Sequence, residues 1–399
     1  MKLTPVHKAL EIIVNHTQDF GVEEVHFLNS RNRILAEPIT ADRDFPPFDR
    51  VSMDGIAFHT DALKNGNIRF EIEGVQAAGS PQLSLKNPGN CLEVMTGAVL
   101  PKNTNCVLQY EKITIENGFA TLEETTLKEW QNIHKKGFDK KAGTVLVKEG
   151  SKVSAAEIGV LATVGKEFVK VRKQPKVVVV STGDELVDVN ETPLNYQIRK
   201  SNVFTLASQL EYSGIKAEIV HLADDKESLK NNITEYLQRF DVLMFSGAVS
   251  KGKFDFIPEV LDTLEVKKHF HKVSQRPGKP FWFGTKGSKT VFAFPGNPVS
   301  TFVCYLKYFR VWYQKSMGLE PRNAKAILSE DVSFKPNLTY FLQVAIENKK
   351  GEIHAKPIQG NGSGDLANLV QVDAFMELPL GRTDFFKGEQ FPILTFRNY

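Results

Sequence analysis

The chain has 399 residues, 41% hydrophobic and 24% charged, with a net charge of +3, so several domains are expected and nothing global attracts nucleic acid or an acidic membrane. Its three cysteines, Cys91, Cys106 and Cys304, lack CxxC spacing; this argues against a disulfide framework or a cysteine-built zinc site and fits a reducing cytoplasm. No apolar run reaches the ~20 residues of a membrane span.

The opening MKLTPVHKALEIIVNHTQDFG has apolar residues at helical spacing and charge throughout, which predicts an amphipathic helix and not the apolar core of a signal peptide. From residue 51 to about 135, short alternating runs such as NIRFEIEGV and NCVLQYEKITIENGFATL, broken by Gly, Pro and Asn, predict a mostly β module. KKAGTVLVKEGSKVSAAEIGVLATVG then predicts a turn-rich strand and an alanine-rich helix. From about Lys176 to Gly318, strands and helices alternate. KVVVVST, KAEIVHL, DVLMFSG and TVFAFPGNP read as strands; SNVFTLASQLEYSG, DDKESLKNNITEYLQRF, FDFIPEVLDTL and VSTFVCYLKYFRVWYQKSMG read as helices. Such alternation predicts a parallel sheet wrapped by helices, with ligands beyond the carboxyl ends of the strands. After Pro321 the pattern returns to strands, with Lys-Lys-Gly at a hairpin turn.

The turns after those strands carry the candidate chemistry. SGAVSKGKFD (246–255) puts Lys251 and Lys253 around Gly252, as anion ligands or as solvated turn residues. In VFAFPGNPVS (291–300), Asn297 is expected as N-cap and Pro298 at the first helical position, and Gly296 would let backbone approach an anion; a well-capped helix is the plainer reading. STGDELV offers Thr182, Asp184 and Glu185 for a divalent cation or a proton, or simply as acids at the start of the next element. RPGKPFWFG sets Arg276 and Lys279 in a proline-fixed turn suited to an oxyanion, though basic loops are common. Asp54-Gly55 and Thr96-Gly97 read as ordinary turns. His269 and His271, two apart on a strand, share a face but have no third ligand at metal spacing.

FPPFDRVSMDG, VMTGAVLP, VVSTGDELV, SNVFTLASQLEYSG, MFSGAVSKGKFDF, RPGKPFWFG, FPGNPVS and GSGDLANLVQVDAFMELP occur in this order, and together they resemble the MoeA family of molybdopterin molybdenumtransferases, related to the gephyrin E domain. The resemblance spans essentially the whole chain. It implies a multidomain α/β protein: a discontinuous N-terminal domain (1–50 with 136–174), an inserted β-rich lobe (51–135), a sheet-and-helix molybdopterin-binding domain (175–319) and a C-terminal β-barrel (320–399). It implies a cytoplasmic homodimer that inserts molybdate into adenylylated molybdopterin, with AMP leaving and Mg²⁺ assisting. Exchange with a molybdopterin adenylyltransferase and with molybdoenzyme apoproteins is implied as well, and neither nucleic acid nor membrane is expected as a partner. A non-catalytic molybdopterin-binding or scaffold relative is the alternative.

Carried over residue by residue, the family motifs give Asp54, Thr96, Asp139, Glu185, Asp255 and Lys279 as catalytic. Thr182, Gly183, Asp184, Ser246, Gly247, Ser250, Lys253, Arg276, Pro295, Gly296, Asn297, Pro298 and Ser300 would bind substrate, and Asp184 or Glu185 a metal. The chain departs from the family pattern in places. SGGVSxGDxD becomes SGAVSKGKFD, with Ala248 and Lys253; QIxDSN becomes QIRKSN, with Lys200 for an acid; GADAV becomes NTNCV, with Asn105 for an acid; and NLTYFLQ loses two arginines. These changes bear on metal ligation and the molybdate contact, and they predict that Lys253 partly replaces a metal.

Overall fold

The amphipathic opening folds as helix α1 (Val6–Val14), which buries Val6, Ala9 and Ile13. The structure is a computed structural model that describes residues 3–64, 66–247, 249, 256–321 and 324–397. Two compact units result: Met1–Glu23 with Arg172–Tyr399, and Glu24–Val171. Among the described residues no helix is long and apolar enough to cross a membrane. All three cysteines are buried and free.

Within the Glu24–Val171 unit, strands β1 (Gly55–Phe58), β2 (Arg69–Gln76), β3 (Cys91–Val94), β4 (Cys106–Gln109), β5 (Ile113–Glu116) and β6 (Phe119–Leu122) form one sheet in the order β4-β1-β3-β2-β6-β5. Only β2 and β3 run parallel among these pairs. Ile56, Phe58, Phe70 and Leu108 anchor its core. Asp54-Gly55, expected as an ordinary turn, instead opens β1. A Cβ on Gly55 would stand 1.9 Å from the Leu108 carbonyl oxygen of β4, so the close approach of two strands requires glycine here. A second core of Leu35, Ile39, Val147, Val153 and Leu161 lies under helix α2 (Ala155–Thr163). Ser154 and Glu157 form a reciprocal capping box at its start. Ile39–Thr40 pairs antiparallel with Val145–Val147.

The other unit is built on β7 (Val177–Thr182), β8 (Glu218–Leu222), β9 (Val242–Ser246), β10 (Lys267–His271), β11 (Trp282–Lys286) and β12 (Lys289–Phe294). Their order is β8-β7-β9-β12-β11-β10; the first four are parallel, and β11 runs antiparallel to both of its neighbours, β12 and β10. All six residues of β7 and all five of β9 are buried, as expected of strands covered on both faces. The covering helices are α3 (Asn202–Tyr212), α4 (Lys226–Arg239) and α5 (Ile257–Thr263). After β12 comes a continuous helical run: α6 (Pro298–Cys304), a wide turn of i→i+5 type at Tyr305–Phe309, and α7 (Arg310–Ser316). The segment carrying α1 docks on this unit. The Trp312 indole donates to the His16 carbonyl (2.8 Å), and the Gln18 amide donates to the Thr290 hydroxyl (2.6 Å).

Strands β13 (Ala324–Leu328), β14 (Thr339–Lys349), β15 (Glu352–Pro357), β16 (Ala374–Leu378) and β17 (Gln390–Thr395) each have two of the others as neighbours, in the cycle β14-β15-β13-β17-β16-β14. The sheet therefore closes on itself, removing free edges, around Val344, Ala355, Met376 and Ile393. Lys350 and Gly351 make the expected hairpin turn with positive φ. The short strand Gln275–Arg276 joins β14 in parallel, which fixes Arg276 against the barrel wall.

Candidate functional site

Strands β7, β9 and β12 are neighbours and parallel, so their C-terminal turns lie together. Strand β7 ends at buried Thr182, followed by Gly183 at φ +128. A Cβ on Gly183 would stand 2.5 Å from Glu185 Oε2, so glycine lets the Glu185 carboxylate fold back over the turn. Asp184 Oδ1 accepts from the Asp224 backbone amide at 3.4 Å. Burial, followed by the negative charges of Asp184 and Glu185, holds the Asp224 carboxyl above the usual carboxylate range. Asp224 was not singled out from the sequence, although HLADD directly after a strand was the available signal. Ser181 Oγ and His221 Nδ1 lie 2.9 Å apart at the same edge.

Strand β9 ends at buried Ser246, and the Gly247 amide donates to the Phe294 carbonyl at the end of β12 (3.3 Å). The Gly247 and Gly296 turns abut, since a Cβ on Gly296 would touch Gly247 Cα at 3.5 Å. The Asn202 amide, on the first turn of α3, donates to the Gly296 carbonyl at 2.7 Å. Asn297 and Pro298 occupy the expected N-cap and first helical positions of α6. The Asn297 side chain does not cap, however. It donates to Ser363 Oγ (2.7 Å), while the Val299 amide donates to the Ser363 carbonyl (3.1 Å). Ser363 is a further residue that sequence reasoning passed over, although it lies within the quoted GSGDLANLV string.

The RPGKP turn is held from beneath. Gln275 is fully buried; its amide donates to the Pro277 carbonyl (3.0 Å), and its oxygen accepts from the Tyr308 hydroxyl. Gly278 has φ +88, and a Cβ there would meet both Cys304 Sγ and Gln275 Nε2 at 2.6 Å. Arg276 and Lys279 project from this turn and are exposed; neither is ion-paired among the described residues. The Arg276 guanidinium lies 6.0 Å from the Phe334 ring centroid.

These turns enclose two adjoining cavities that share Gly247, Gly296 and Asn297. The smaller, about 300 Å³, is lined by Thr182, Glu185, Lys200, Ser246 and Pro298 among others. The larger, about 480 Å³, has Arg276, Lys279, Pro295, Ser300, Leu338 and Ser363. Most of the substrate-binding residues expected from the sequence therefore converge. A still larger recess of about 940 Å³, lined by Phe204, Tyr212 and Arg310, contains none of the strand-end turns, so size alone does not mark the site. Lys200 lines the smaller cavity with 10% of its side chain exposed, and its Nζ lies 2.5 Å from Asp188 Oδ1, whose side chain is 57% exposed. Among the described residues, no group of three or more His, Cys, Asp or Glu side chains could hold a metal ion, which leaves Asp184 and Glu185 without a third ligand.

Three other expected residues, Asp54, Thr96 and Asp139, belong to the Glu24–Val171 unit. Asp54 Oδ1 accepts from the Thr96 backbone amide at 2.6 Å, joining two motifs 42 residues apart; that bond first, then the Thr96 side chain, holds the Asp54 carboxyl below its ordinary range. Asp139 Oδ1 lies 2.9 Å from His134 Nε2. Asn105, one of the departures, is buried. It accepts from the Thr60 amide (2.8 Å) and donates to the Thr60 hydroxyl (3.0 Å), so it locks a turn. His269 and His271 have separate partners, with a register shift between Lys268 and Phe270. His269 Nε2 lies 2.8 Å from Thr285 Oγ1, and His271 Nε2 lies 3.3 Å from the Val249 carbonyl. Ala248, Ser250, Lys251, Lys253 and Asp255 lie outside the described residues, and the expectation for Lys253 lies there with them.

Comparison with known proteins gives three matches to family descriptions: "MoeA N-terminal region (domain I and II)" over residues 4–165, "Probable molybdopterin binding domain" over 178–312, and "MoeA C-terminal region (domain IV)" over 325–396. A molybdopterin molybdenumtransferase of Synechocystis sp. is 39% identical over 392 residues, covering 97% of this chain and 98% of that protein. One from Staphylococcus aureus is 31% identical over 399 residues, covering 98% and 95%. The crystal structure of a molybdopterin biosynthesis moea protein from Pyrococcus horikosii superposes with a TM-score of 0.83 at 29% identity and covers 100% of both chains.

Proposed function

This chain belongs to the MoeA family, and we propose that it inserts molybdate into adenylylated molybdopterin with release of AMP, completing the molybdenum cofactor. The observation that carries this reading is the pair of adjoining cavities at the ends of β7, β9 and β12, one with two cations that have no ion-pair partner among the described residues and the other with Glu185, Lys200 and Arg199 in its lining. Both substrates are anionic. Arg276 and Lys279 offer exposed donors for an oxyanion, and the rigid turn beneath them fixes the spacing of those donors. Ser300 and the Gly247 and Gly296 turns offer hydroxyl and backbone surfaces close enough for a phosphate to approach. Glu185, folded over its turn, is the group placed to take the proton from a water whose oxygen bonds to phosphorus as the bond to AMP breaks.

Magnesium would offset charge on the departing phosphate. The described residues do not fit it. The smaller cavity sets Glu185 beside Lys200 and Arg199, and no group of three or more His, Cys, Asp or Glu side chains among the described residues could hold the ion, so no step is routed through the metal.

The same proposal includes a homodimer in which the 51–135 lobe of one subunit faces the 175–319 domain of the other, and a supply of substrate from a molybdopterin adenylyltransferase. Support for the dimer is that Asp54 and Thr96 form a bonded, exposed pair matching family motifs yet belong to a different unit from the cavities. The division into 1–50 with 136–174, 51–135, 175–319 and 320–399 is also proposed, supported by the three matched ranges and the Ile39–Thr40 pairing with Val145–Val147.

Complementation of a cell lacking its own insertase, scored by molybdoenzyme activity, tests the reaction, and restored activity is expected. Binding of adenylylated molybdopterin without AMP release by the purified protein would instead establish the non-catalytic alternative. An active, monodisperse monomer would remove the dimer.

A further inference from the structure

We propose that Lys200 is a phosphate-binding cation of the smaller cavity, its ammonium binding the phosphate of an adenylyl group directly where a divalent ion would otherwise neutralise it. This deepens the proposed function and rests on it. Lys200 follows the two-residue strand Ile198–Arg199, which pairs in parallel with Leu186–Val187, and its own backbone amide donates to the Val187 carbonyl at 3.0 Å. That pairing directs the residue into the space between the Thr182–Glu185 turn and the Gly247 and Gly296 turns. A lysine with only 10% of its side chain exposed has lost most of its water and needs replacement acceptors.

Its ion-pair partner, Asp188, stands more than half in solvent. An ammonium has three N–H donors, and one carboxylate oxygen at 2.5 Å occupies one of them. Lys200 lines the cavity together with Thr182, Ser246, Asn297 and Arg199, and Glu185 is the acid among its lining residues. The lining is therefore matched to an anion with several acceptor oxygens. It is poorly matched to Mg²⁺, which an ammonium repels and a single carboxylate cannot enclose. Asp188 acts as a placeholder that orients Lys200 until phosphate arrives.

The experiment titrates AMP into the full chain by calorimetry, in EDTA and again in magnesium chloride. The native protein is expected to bind AMP with the same affinity in both. Lys200→Met should weaken binding at least roughly tenfold in either buffer, the range for a lost hydrogen bond to a charged group. Lys200→Asp should bind weakly in EDTA and recover when magnesium is added. Asp188→Asn should tighten AMP binding about twofold or more by releasing the ammonium from its competitor. This last variant separates ligand binding from a structural ion pair, because breaking a structural pair from either side would weaken binding. Circular dichroism confirms that each variant is folded. Magnesium-dependent binding by the native protein, native-like binding by Lys200→Met, or weaker binding by Asp188→Asn would each overturn the role of Lys200. Absence of AMP binding by the native protein would overturn it too. None of those results decides whether the protein inserts molybdate, which the complementation assay reads separately.

Discussion

In the larger of the two strand-end cavities, Arg276 and Lys279 stand in water on a turn clamped by Gln275, Tyr308 and Gly278. In the smaller one, Lys200 is nearly out of water and paired, and the carboxylate of Glu185 is folded over its own backbone. Exposed cations attract anions over a distance but are screened within a Debye length of about 8 Å at physiological salt. A desolvated cation acts only at contact, yet salt reaches it far less. On the proposed function the two cavities would therefore divide the handling of an anionic substrate into capture and seating, and experiments can set one against the other.

The largest expected effect comes from the clamp. Gly278→Ala should cost about 3 kcal/mol of unfolding free energy in urea, through a disfavoured φ and overlap with Cys304 and Gln275. A cost below about 0.5 kcal/mol would mean that the turn yields easily and that capture does not depend on its rigidity. Next, Glu185→Gln should lower insertion turnover by roughly 100-fold with KM nearly unchanged, since the amide keeps the shape and loses the base. Equal losses in binding and turnover would assign Glu185 to structure. Lys279→Met should lower kcat/KM roughly tenfold at low salt and much less at 0.5 M salt, measured by initial rates. An equal loss at both salt concentrations would erase the distinction between the cavities.

The smallest expected effect lies away from both. The rings of His16 and His269 are 4.0 Å apart between centroids. Burial first, then His16, holds His269 down to about 4, against about 6.5 in an unfolded chain. The unfolded state therefore binds the additional proton first as pH falls. The stability that neutral His269 contributes is complete above about pH 6.5 and is lost progressively towards pH 4. The urea midpoint should decline across that window, and His269→Phe should flatten the decline. His271, also lowered mainly by burial, leaves a residual slope.

Strands β7 and β9 were legible because a strand buried on both faces must be apolar without interruption, and VVVV and VLMF are. The RPGKP turn and Pro298 were legible because proline and glycine restrict backbone locally. What sequence could not reveal was which partner wins when two are within reach. Asn297 had a helix to cap and bonded Ser363 instead, 66 residues further on. Asp54 read as a turn residue, yet its partner Thr96 is 42 residues away. Gly55 read as a turn because its crowding against Leu108 is a property of two strands together. The pairing of Lys200 with Asp188 likewise depends on a short parallel pairing too brief to leave a periodic signature.

The wide turn at Tyr305–Phe309 sets the angular phase of the helix that follows. Each residue of an α-helix advances about 100° around its axis. Before the phase change is complete, Tyr308 reaches Gln275 under the turn bearing Arg276 and Lys279; after it, Trp312 reaches the His16 carbonyl and Tyr313 reaches Gln174. One rod is thus keyed to two locks cut at different angles. Removing a single residue from the wide turn would leave a continuous helix but swing Trp312 and Tyr313 out of register with their partners. The N-terminal segment would lose its tie to Trp312 and keep that of Gln18 to Thr290, while the turn bearing Arg276 and Lys279 kept its own.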